Sequence, residues 1–112
     1  MSRRYCLTLD LKDDPKLIAE YKMYHEKIWP EITASIHESG IEDMEIYVLG
    51  ARMFMIMQVN ESFSFAKKAA ADAANPKVQE WEQLMWKFQQ ALAEAEPGEK
   101  WLLMERIFKL ES

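Results

Sequence analysis

Two side chains of the predicted first helix could transfer protons. Tyr21 and His25 are four residues apart, so in a helix they lie on one face, one turn above the other. An imidazole has an unperturbed pKa of about 6.5 and can act as an acid or as a base near neutral pH. A phenol beside it can donate or accept a hydrogen bond. In a cleft shielded from water, this pair could catalyse proton transfer on a small substrate.

Further polar and aromatic residues could complete such a site. Tyr47, Glu105 and Arg106 lie on predicted strands and could converge on the same cleft between helix and sheet. Trp29 and Trp81 could form a flat apolar wall of the kind that packs against the C–H face of a sugar. An aromatic platform with few polar groups and no cluster of cations suits a small neutral polyol.

The same residues also have purely structural interpretations. A histidine on the inner stripe of a helix is more often a hydrogen-bonded core or cleft residue than a catalyst. Trp81, at helical spacing, is typical of a core residue. Tyr47 could pack on the sheet with its hydroxyl in water, and Glu105 and Arg106 alternate sides of a strand. At this point a catalytic and a structural role for His25 both stay open.

Other chemistries have little support in the sequence. His25 and His37 are twelve residues apart, and no carboxylate at helical spacing completes a zinc site, so we expect no metal. The three glycines are isolated, which disfavours a phosphate-binding loop, and there is no G-x-S-x-G nucleophile motif. We therefore expect chemistry that needs no cofactor.

Length and composition predict one small globular domain over residues 1–112, because 49% of the residues are hydrophobic and 29% are charged. The net charge of −5 disfavours nucleic acid and anionic membranes as partners. We find no pattern of a signal peptide or a membrane span, so the cytoplasm is expected. Cys6 is the only cysteine, which excludes an internal disulfide.

Hydrophobic periodicity and turn residues predict the element order β-α-β-β-α-β. The predicted strands are residues 4–11, 44–49, 52–59 and 101–110. A first helix runs from Pro15, capped by Asp14, towards Trp29, and Pro30 begins a second segment that ends at Gly40. Residues 63–74 are weakly helical. A further helix begins at Pro76 after the cap Asn75, and its apolar stripe extends through Phe88 and Leu92.

This order is the ferredoxin-like α+β plan, with a four-stranded antiparallel sheet and the helices on one face. Met53, Met55 and Met57 share one face of the third strand, whereas Phe54 and Ile56 share the other. A sheet that is apolar on both faces must be covered on both. We expect the helices to cover the face with Phe54 and Ile56, and the methionine face to lie away from them. A second copy of the chain would cover it, which predicts a homodimer with facing sheets.

The residues around His25 resemble the L-rhamnose mutarotase family. The most specific motif is Tyr21-x-x-x-His25-x-x-Ile28-Trp29-Pro30-Glu31. The resemblance continues through residues 40–47, 54–59, 75–81 and 104–110, and so covers nearly the whole chain. It implies a dimeric ferredoxin-like α+β barrel. It also implies an isomerase that interconverts the α and β anomers of a free sugar without a cofactor.

The resemblance also implies roles for individual residues. His25 matches the family's proton donor, and Tyr21 matches a tyrosine that contacts the substrate. Trp81 matches the first of two adjacent tryptophans that line the sugar site, whereas Glu82 stands in place of the second. Met44 stands where the rhamnose enzymes have a tyrosine at the start of the second strand. Because both departures fall on sugar-contacting positions, the sugar could be L-rhamnose or L-fucose.

Mutarotation requires a proton at the ring oxygen and loss of the proton from the anomeric hydroxyl. We expect His25 to deliver or recover the proton at the ring oxygen, while Tyr21, or a strand carboxylate such as Glu105, handles the anomeric hydroxyl. Two alternatives remain on the same architecture: a cofactor-free or haem-degrading monooxygenase, and a non-catalytic sugar-binding module.

Overall fold

The structure, a computed structural model, describes residues 3–110, which form an antiparallel sheet with helices on one face. The strands are β1 (Arg3–Leu11), β2 (Ile41–Leu49), β3 (Arg52–Val59), β4 (Gln89–Gln90) and β5 (Leu102–Leu103). The helices are α1 (Pro15–Glu26), α2 (Pro30–Glu38), α3 (Phe65–Ala73) and α4 (Pro76–Met85). None of the helices within the described range has the length and apolar character that crossing a bilayer requires.

Strand β1 is the centre of the sheet. Its inner side chains Leu7, Leu9 and Leu11 are all buried, as the alternating sequence predicts. One edge of β1 pairs along its length with β3, which pairs in turn with β2. The other edge is shared, because β4 pairs near Leu11 and β5 pairs near Leu7. The arrangement confirms the predicted ferredoxin-like α+β class.

The helix starts follow the predicted capping residues. Asp14 and Asn75 each accept hydrogen bonds from two backbone amides of the following turn, and each precedes a proline. Helix α1 ends at Glu26, earlier than the predicted approach to Trp29, and Pro30 begins α2. Helices α2 and α3 both pack against α4, so these three helices form one packed group.

The prediction that the methionine face lies away from the helices is wrong. Met53 is 1% exposed and packs with α1, α2 and α4, and Met55 and Met57 are also buried on the same side. The face left open carries Phe54 and Ile56, which are half-buried. The alternation of side chains identified the two faces correctly. It did not show which face the helices cover, because both faces are apolar.

The chain after α4 also departs from the prediction. The apolar stripe continues through Phe88 and Leu92, yet α4 ends at Met85. The backbone amide of Phe88 donates to the carbonyl of Met85 at 3.0 Å, and the chain turns there into β4. Strand β4 is absent from the prediction because Gln89 and Gln90 carry no strand signal.

The predicted last strand, residues 101–110, is also too long. Pairing with β1 is confined to β5 and to one further hydrogen bond, from the amide of Met104 to the carbonyl of Cys6 at 2.8 Å. Beyond it, residues 105–110 form no regular strand and are exposed. Ile107, for example, is 90% exposed, and Phe108 beside it is exposed too. Alternation of side chains predicted a strand there, but these residues have no neighbouring strand in the described chain.

Candidate active site

A cavity of about 320 Å³ lies between the helices and the sheet. That volume is at the small end of the range for small-molecule sites, roughly 300–1,000 Å³. The wall is mostly apolar and includes Ile28, Ile32, Met44, Met57, Trp81 and Trp101. Strands β1, β2 and β3 and all four helices contribute residues to the lining, so the cavity depends on the whole fold.

The polar residues of the cavity form two groups. In the first, Lys68 and Asp72 pair at 2.6 Å, and the Ser35 hydroxyl donates to Asp72 at 3.4 Å, so these side chains satisfy one another. The second group, called the polar cluster below, contains one buried acceptor that has no hydrogen-bond partner in the described chain, Oε1 of Gln89. The polar cluster consists of Tyr21, His25, Glu82, Gln89 and Lys100.

His25 is held in one tautomer by its own helix. Its Nδ1 lies 2.8 Å from the backbone carbonyl oxygen of Tyr21, one turn earlier. Because a carbonyl oxygen only accepts, the proton of the neutral ring is on Nδ1, and Nε2 keeps a lone pair. Burial disfavours the imidazolium and lowers the pKa of His25, although the backbone hydrogen bond opposes this. The ring is half-buried and borders the cavity, so a neutral imidazole that can accept a proton lines this space.

The Tyr21 phenol stays protonated. Its ring centroid lies 4.3 Å from that of His25, with the planes at 31°. Burial raises the pKa of Tyr21 to about 12, a hydrogen bond from Gln89 opposes the rise, and Glu82 adds to it. The Gln89 amide donates from Nε2 to the Tyr21 hydroxyl oxygen at 3.3 Å. At neutral pH this phenol can donate a hydrogen bond but does not ionise.

Trp81 forms the aromatic wall beside the imidazole. Its ring meets His25 edge-on, with 5.7 Å between centroids and 63° between planes. Trp29 packs against Trp81 at 5.0 Å, and Tyr24 packs at 6.3 Å. Trp81 lines the cavity, whereas Trp29 is not part of its lining and supports Trp81 from behind. These contacts fix the position of Trp81 and, through it, of His25.

Lys100 is a site residue that the sequence analysis missed. Its Nζ lies 3.0 Å from the Glu82 carboxylate and 2.8 Å from the Glu82 carbonyl oxygen. It also lies 4.7 Å from the ring centroid of Trp86. Burial lowers the pKa of this ammonium below its ordinary value, although the Glu82 charge opposes the change. Because Lys100 and Glu82 are eighteen residues apart on a turn and a helix, no spacing rule could have paired them.

Of the other candidate site residues from the sequence analysis, one lines the cavity and the others lie outside it. Met44 lines the cavity from β2, beside the predicted site residues of α1 and α4. Tyr47 borders a second space of about 180 Å³ near His25, but its side chain is 55% exposed, and its ring packs on Phe54 across the hairpin at 6.4 Å. Glu105 and Arg106 are exposed beyond β5 and do not line the cavity within one chain.

Comparison with known proteins identifies the family. A model of the L-rhamnose mutarotase family matches residues 4–110. The L-fucose mutarotase of Xanthomonas campestris pv. campestris is 48% identical over 110 residues, which cover 96% of this chain and 88% of that protein. The L-rhamnose mutarotase of Brucella anthropi is 40% identical over 45 residues, 40% of this chain and 41% of that protein.

The fold has a counterpart among solved structures. The crystal structure of an L-rhamnose mutarotase from Formosa agariphila superposes with a TM-score of 0.71 and covers 97% of this chain and 99% of that one. At 21% identity, this likeness shows the shared fold. The chain belongs to the L-rhamnose mutarotase family. It is a sugar mutarotase, an isomerase of the aldose epimerase type, so the predicted family and enzyme class are confirmed.

Proposed function

We propose that the protein interconverts the α and β anomers of a free 6-deoxy-L-hexose, with L-fucose as its preferred substrate. The similarity to the Xanthomonas campestris L-fucose mutarotase along most of both chains supports this preference. So do Met44 and Glu82, which stand at cavity positions where the resemblance to the rhamnose enzymes fails. L-Rhamnose is the second candidate substrate, because the family model that matches the chain is that of L-rhamnose mutarotase.

The observation that carries the proposal is the state of His25 in the cavity. Its Nδ1–H is held by the Tyr21 carbonyl, its pKa is lowered by burial, and Nε2 is left with its lone pair beside a space of monosaccharide size. This resting state favours His25 as the base that starts ring opening. That starting point differs from the sequence-based prediction, which placed the imidazole at the ring oxygen.

The proposed cycle begins when Nε2 of His25 takes the proton of the anomeric hydroxyl. The bond from the anomeric carbon to the ring oxygen breaks, an aldehyde forms, and the ring oxygen takes up a proton. The aldehyde then rotates about its bond to the next carbon, and the ring closes on the other face by the same transfers in reverse. In closing, His25 returns its proton to the anomeric oxygen, in keeping with a proton-donor role. Each positioned acid or base typically contributes about 10²–10⁴-fold.

Lys100 is the proposed proton donor to the ring oxygen. An ammonium has three N–H groups, and two directions are taken by the carbonyl and the carboxylate of Glu82, which leaves one for a ligand. Burial lowers its pKa and makes it a stronger acid than the Tyr21 phenol, whose pKa is about 12. Tyr21 is then proposed to hold the sugar by a hydrogen bond, and Trp81 to pack against its C–H face.

The apolar wall of the cavity supports a 6-deoxy sugar. A methyl group gains roughly 0.8 kcal/mol when it is buried among side chains such as Ile28, Ile32 and Met57. A hydroxymethyl group in the same place would bury an O–H without a partner, which costs about 1–3 kcal/mol. The proposed substrate therefore lacks the 6-hydroxyl.

We also infer that two copies of the chain associate through the sheet face that carries Phe54, Ile56 and Tyr47. This face carries apolar side chains, and the helices that the structure describes pack on the opposite face. The exposed side chains Ile107 and Phe108 lie on the unpaired C-terminal segment and supply further apolar surface. Such surface on a small domain is typical of an interface between subunits.

The proposed function is tested by anomer exchange on a panel of free sugars. Exchange rates of L-fucose, L-rhamnose and L-galactose would be measured by saturation-transfer NMR with and without the protein. We expect the largest acceleration for L-fucose. L-Galactose, which differs from L-fucose only in its 6-hydroxyl, should be at least about tenfold less effective as a substrate. Equal acceleration of L-fucose and L-galactose would contradict the proposed specificity, and no acceleration of any sugar would contradict the function.

A further inference from the structure

Gln89 carries a buried amide, and its side chain is only 4% exposed. It lies in β4, where it pairs with Leu11 of β1, and it borders the cavity as part of the polar cluster. Its Nε2 donates to the Tyr21 hydroxyl oxygen. Its Oε1 is buried without any hydrogen-bond partner in the described chain. The amide is therefore satisfied at one end only.

A buried acceptor without a partner destabilises the folded chain, and native proteins satisfy nearly all such groups. Since Gln89 borders the cavity, an occupant of the cavity is the available partner. The occupant must carry an O–H or N–H group, because Oε1 can only accept. A sugar hydroxyl meets that requirement, whereas the methyl group of a 6-deoxy sugar does not.

We propose that Gln89 is a substrate-binding residue that recognises one ring hydroxyl of the sugar through Oε1. Its Nε2 has a second task, which is to position the Tyr21 phenol. That hydrogen bond occupies a lone pair of the Tyr21 oxygen and leaves the phenol proton to the cavity. Oε1 and the Tyr21 hydroxyl then form an acceptor and a donor side by side, which matches two neighbouring hydroxyls of a sugar. The inference rests on the proposed function for the identity of the ligand as a sugar.

The test compares Gln89→Met with Gln90→Met. Methionine has nearly the shape of glutamine and lacks the amide, and Gln90 is the exposed neighbour in the same short strand. The substrates are L-fucose and its 2-, 3- and 4-deoxy derivatives. We expect Gln89→Met to lower kcat/KM for L-fucose by about tenfold to a hundredfold, and Gln90→Met to leave it within about twofold.

The deoxy sugars separate recognition from a structural role. If Oε1 binds one hydroxyl, the deoxy sugar that lacks it is already a poor substrate for the parent protein, and Gln89→Met makes it little worse. A loss of the same size on all three deoxy sugars would mean that Gln89 only supports the fold, and no loss on L-fucose would mean that it binds nothing. Either result overturns the inference. If Gln89→Met fails to fold, Gln89→Asn replaces it, because asparagine keeps the amide but withdraws it by one methylene. Its loss of kcat/KM must then also be large on L-fucose and small on one of the deoxy sugars.

Binding without turnover separates this inference from the proposed function. The thermal midpoint of the parent protein should rise when L-fucose is added, and the rise should be smaller for Gln89→Met than for Gln90→Met. If the parent binds L-fucose in this way without accelerating its anomer exchange, the proposed function fails while the inference stands. If the parent accelerates exchange and Gln89→Met does so equally, the function stands and the inference fails.

Discussion

Nδ1 of His25 lies 2.8 Å from the carbonyl oxygen of Tyr21, one helical turn earlier on α1. The same helix thus supplies both the imidazole and the backbone group that fixes its tautomer. Histidines that work as ligands or bases commonly depend on such a partner at the second ring nitrogen. In this chain the result is a neutral imidazole whose Nε2 is available beside the cavity.

The pH dependence of the reaction follows from the lowered pKa of His25. As a base, His25 must be neutral, so kcat/KM should fall as the pH decreases through the lowered pKa of His25 in the free enzyme. At pH values well below this pKa, kcat/KM should decrease tenfold for each pH unit. Exchange rates of L-fucose from pH 4.5 to 8 measure it. An activity that rises towards acid pH would show that the imidazolium starts the reaction.

Lys100 should produce a second limb at alkaline pH. If its ammonium protonates the ring oxygen, kcat/KM should fall as the pH rises through the lowered pKa of Lys100. Lys100→Met should remove this limb and reduce kcat by about a hundredfold. Lys87→Met, on an exposed lysine just after α4, is the matched control and should change neither quantity. A Lys100→Met protein that keeps the full rate would exclude Lys100 as the donor.

Gly40, between α2 and β2, should be intolerant of any side chain. Its φ is +98°, and a Cβ would lie 2.5 Å from Oδ1 of Asn60. Gly40→Ala should therefore lower the free energy of unfolding by about 1–3 kcal/mol. Gly98→Ala is the control, because its φ is +88° but the space around it is open. Denaturant unfolding should place Gly40→Ala clearly below Gly98→Ala, and equal stabilities would show that the Asn60 contact is unimportant.

The open sheet face makes a prediction about assembly. Sedimentation should detect a dimer at micromolar concentration, and Ile56→Asp should convert it to a monomer, because a buried unpaired carboxylate opposes association. Met23→Asp is the control: Met23 is exposed on α1, on the helical side of the molecule, and its replacement should leave the dimer intact. A monomer in the parent protein, or a dimer in Ile56→Asp, would show that this face is not the interface.

Most of the fold was predictable from the sequence because its strongest local signals agree with the tertiary structure. Asp14 and Asn75 cap the helices as predicted, and the alternation of Leu7, Leu9 and Leu11 identified the central strand. The failures are tertiary in origin. Periodicity places Met53 and Phe54 on opposite faces but does not say which face the helices cover. Residues 105–110 alternate like a strand, yet strand pairing requires a neighbour, and residues 3–110 of one chain supply none for this segment.

The cavity residues that the sequence predicted lie in helices and strands with clear local patterns. Tyr21 and His25 are neighbours because of helical geometry, and Trp81 lies on the inner stripe of α4. Gln89 and Lys100 reach the cavity through β4 and the turn before β5, neither of which has a sequence pattern that would mark a site. Their partners are 68 and 18 residues away along the chain, so only the folded structure brings them together.

The most direct test of the account is anomer exchange of L-fucose in the presence of His25→Asn. Asparagine keeps a polar side chain at the helix terminus but cannot accept and return a proton, so the variant should fold and lose at least about a hundredfold in rate. His37→Asn, on an exposed histidine of α2, controls for the loss of an imidazole elsewhere and should keep the parent rate. Saturation-transfer NMR would measure all three proteins at one concentration. An exchange rate for His25→Asn equal to that of the parent would contradict the central claim that this imidazole moves the proton.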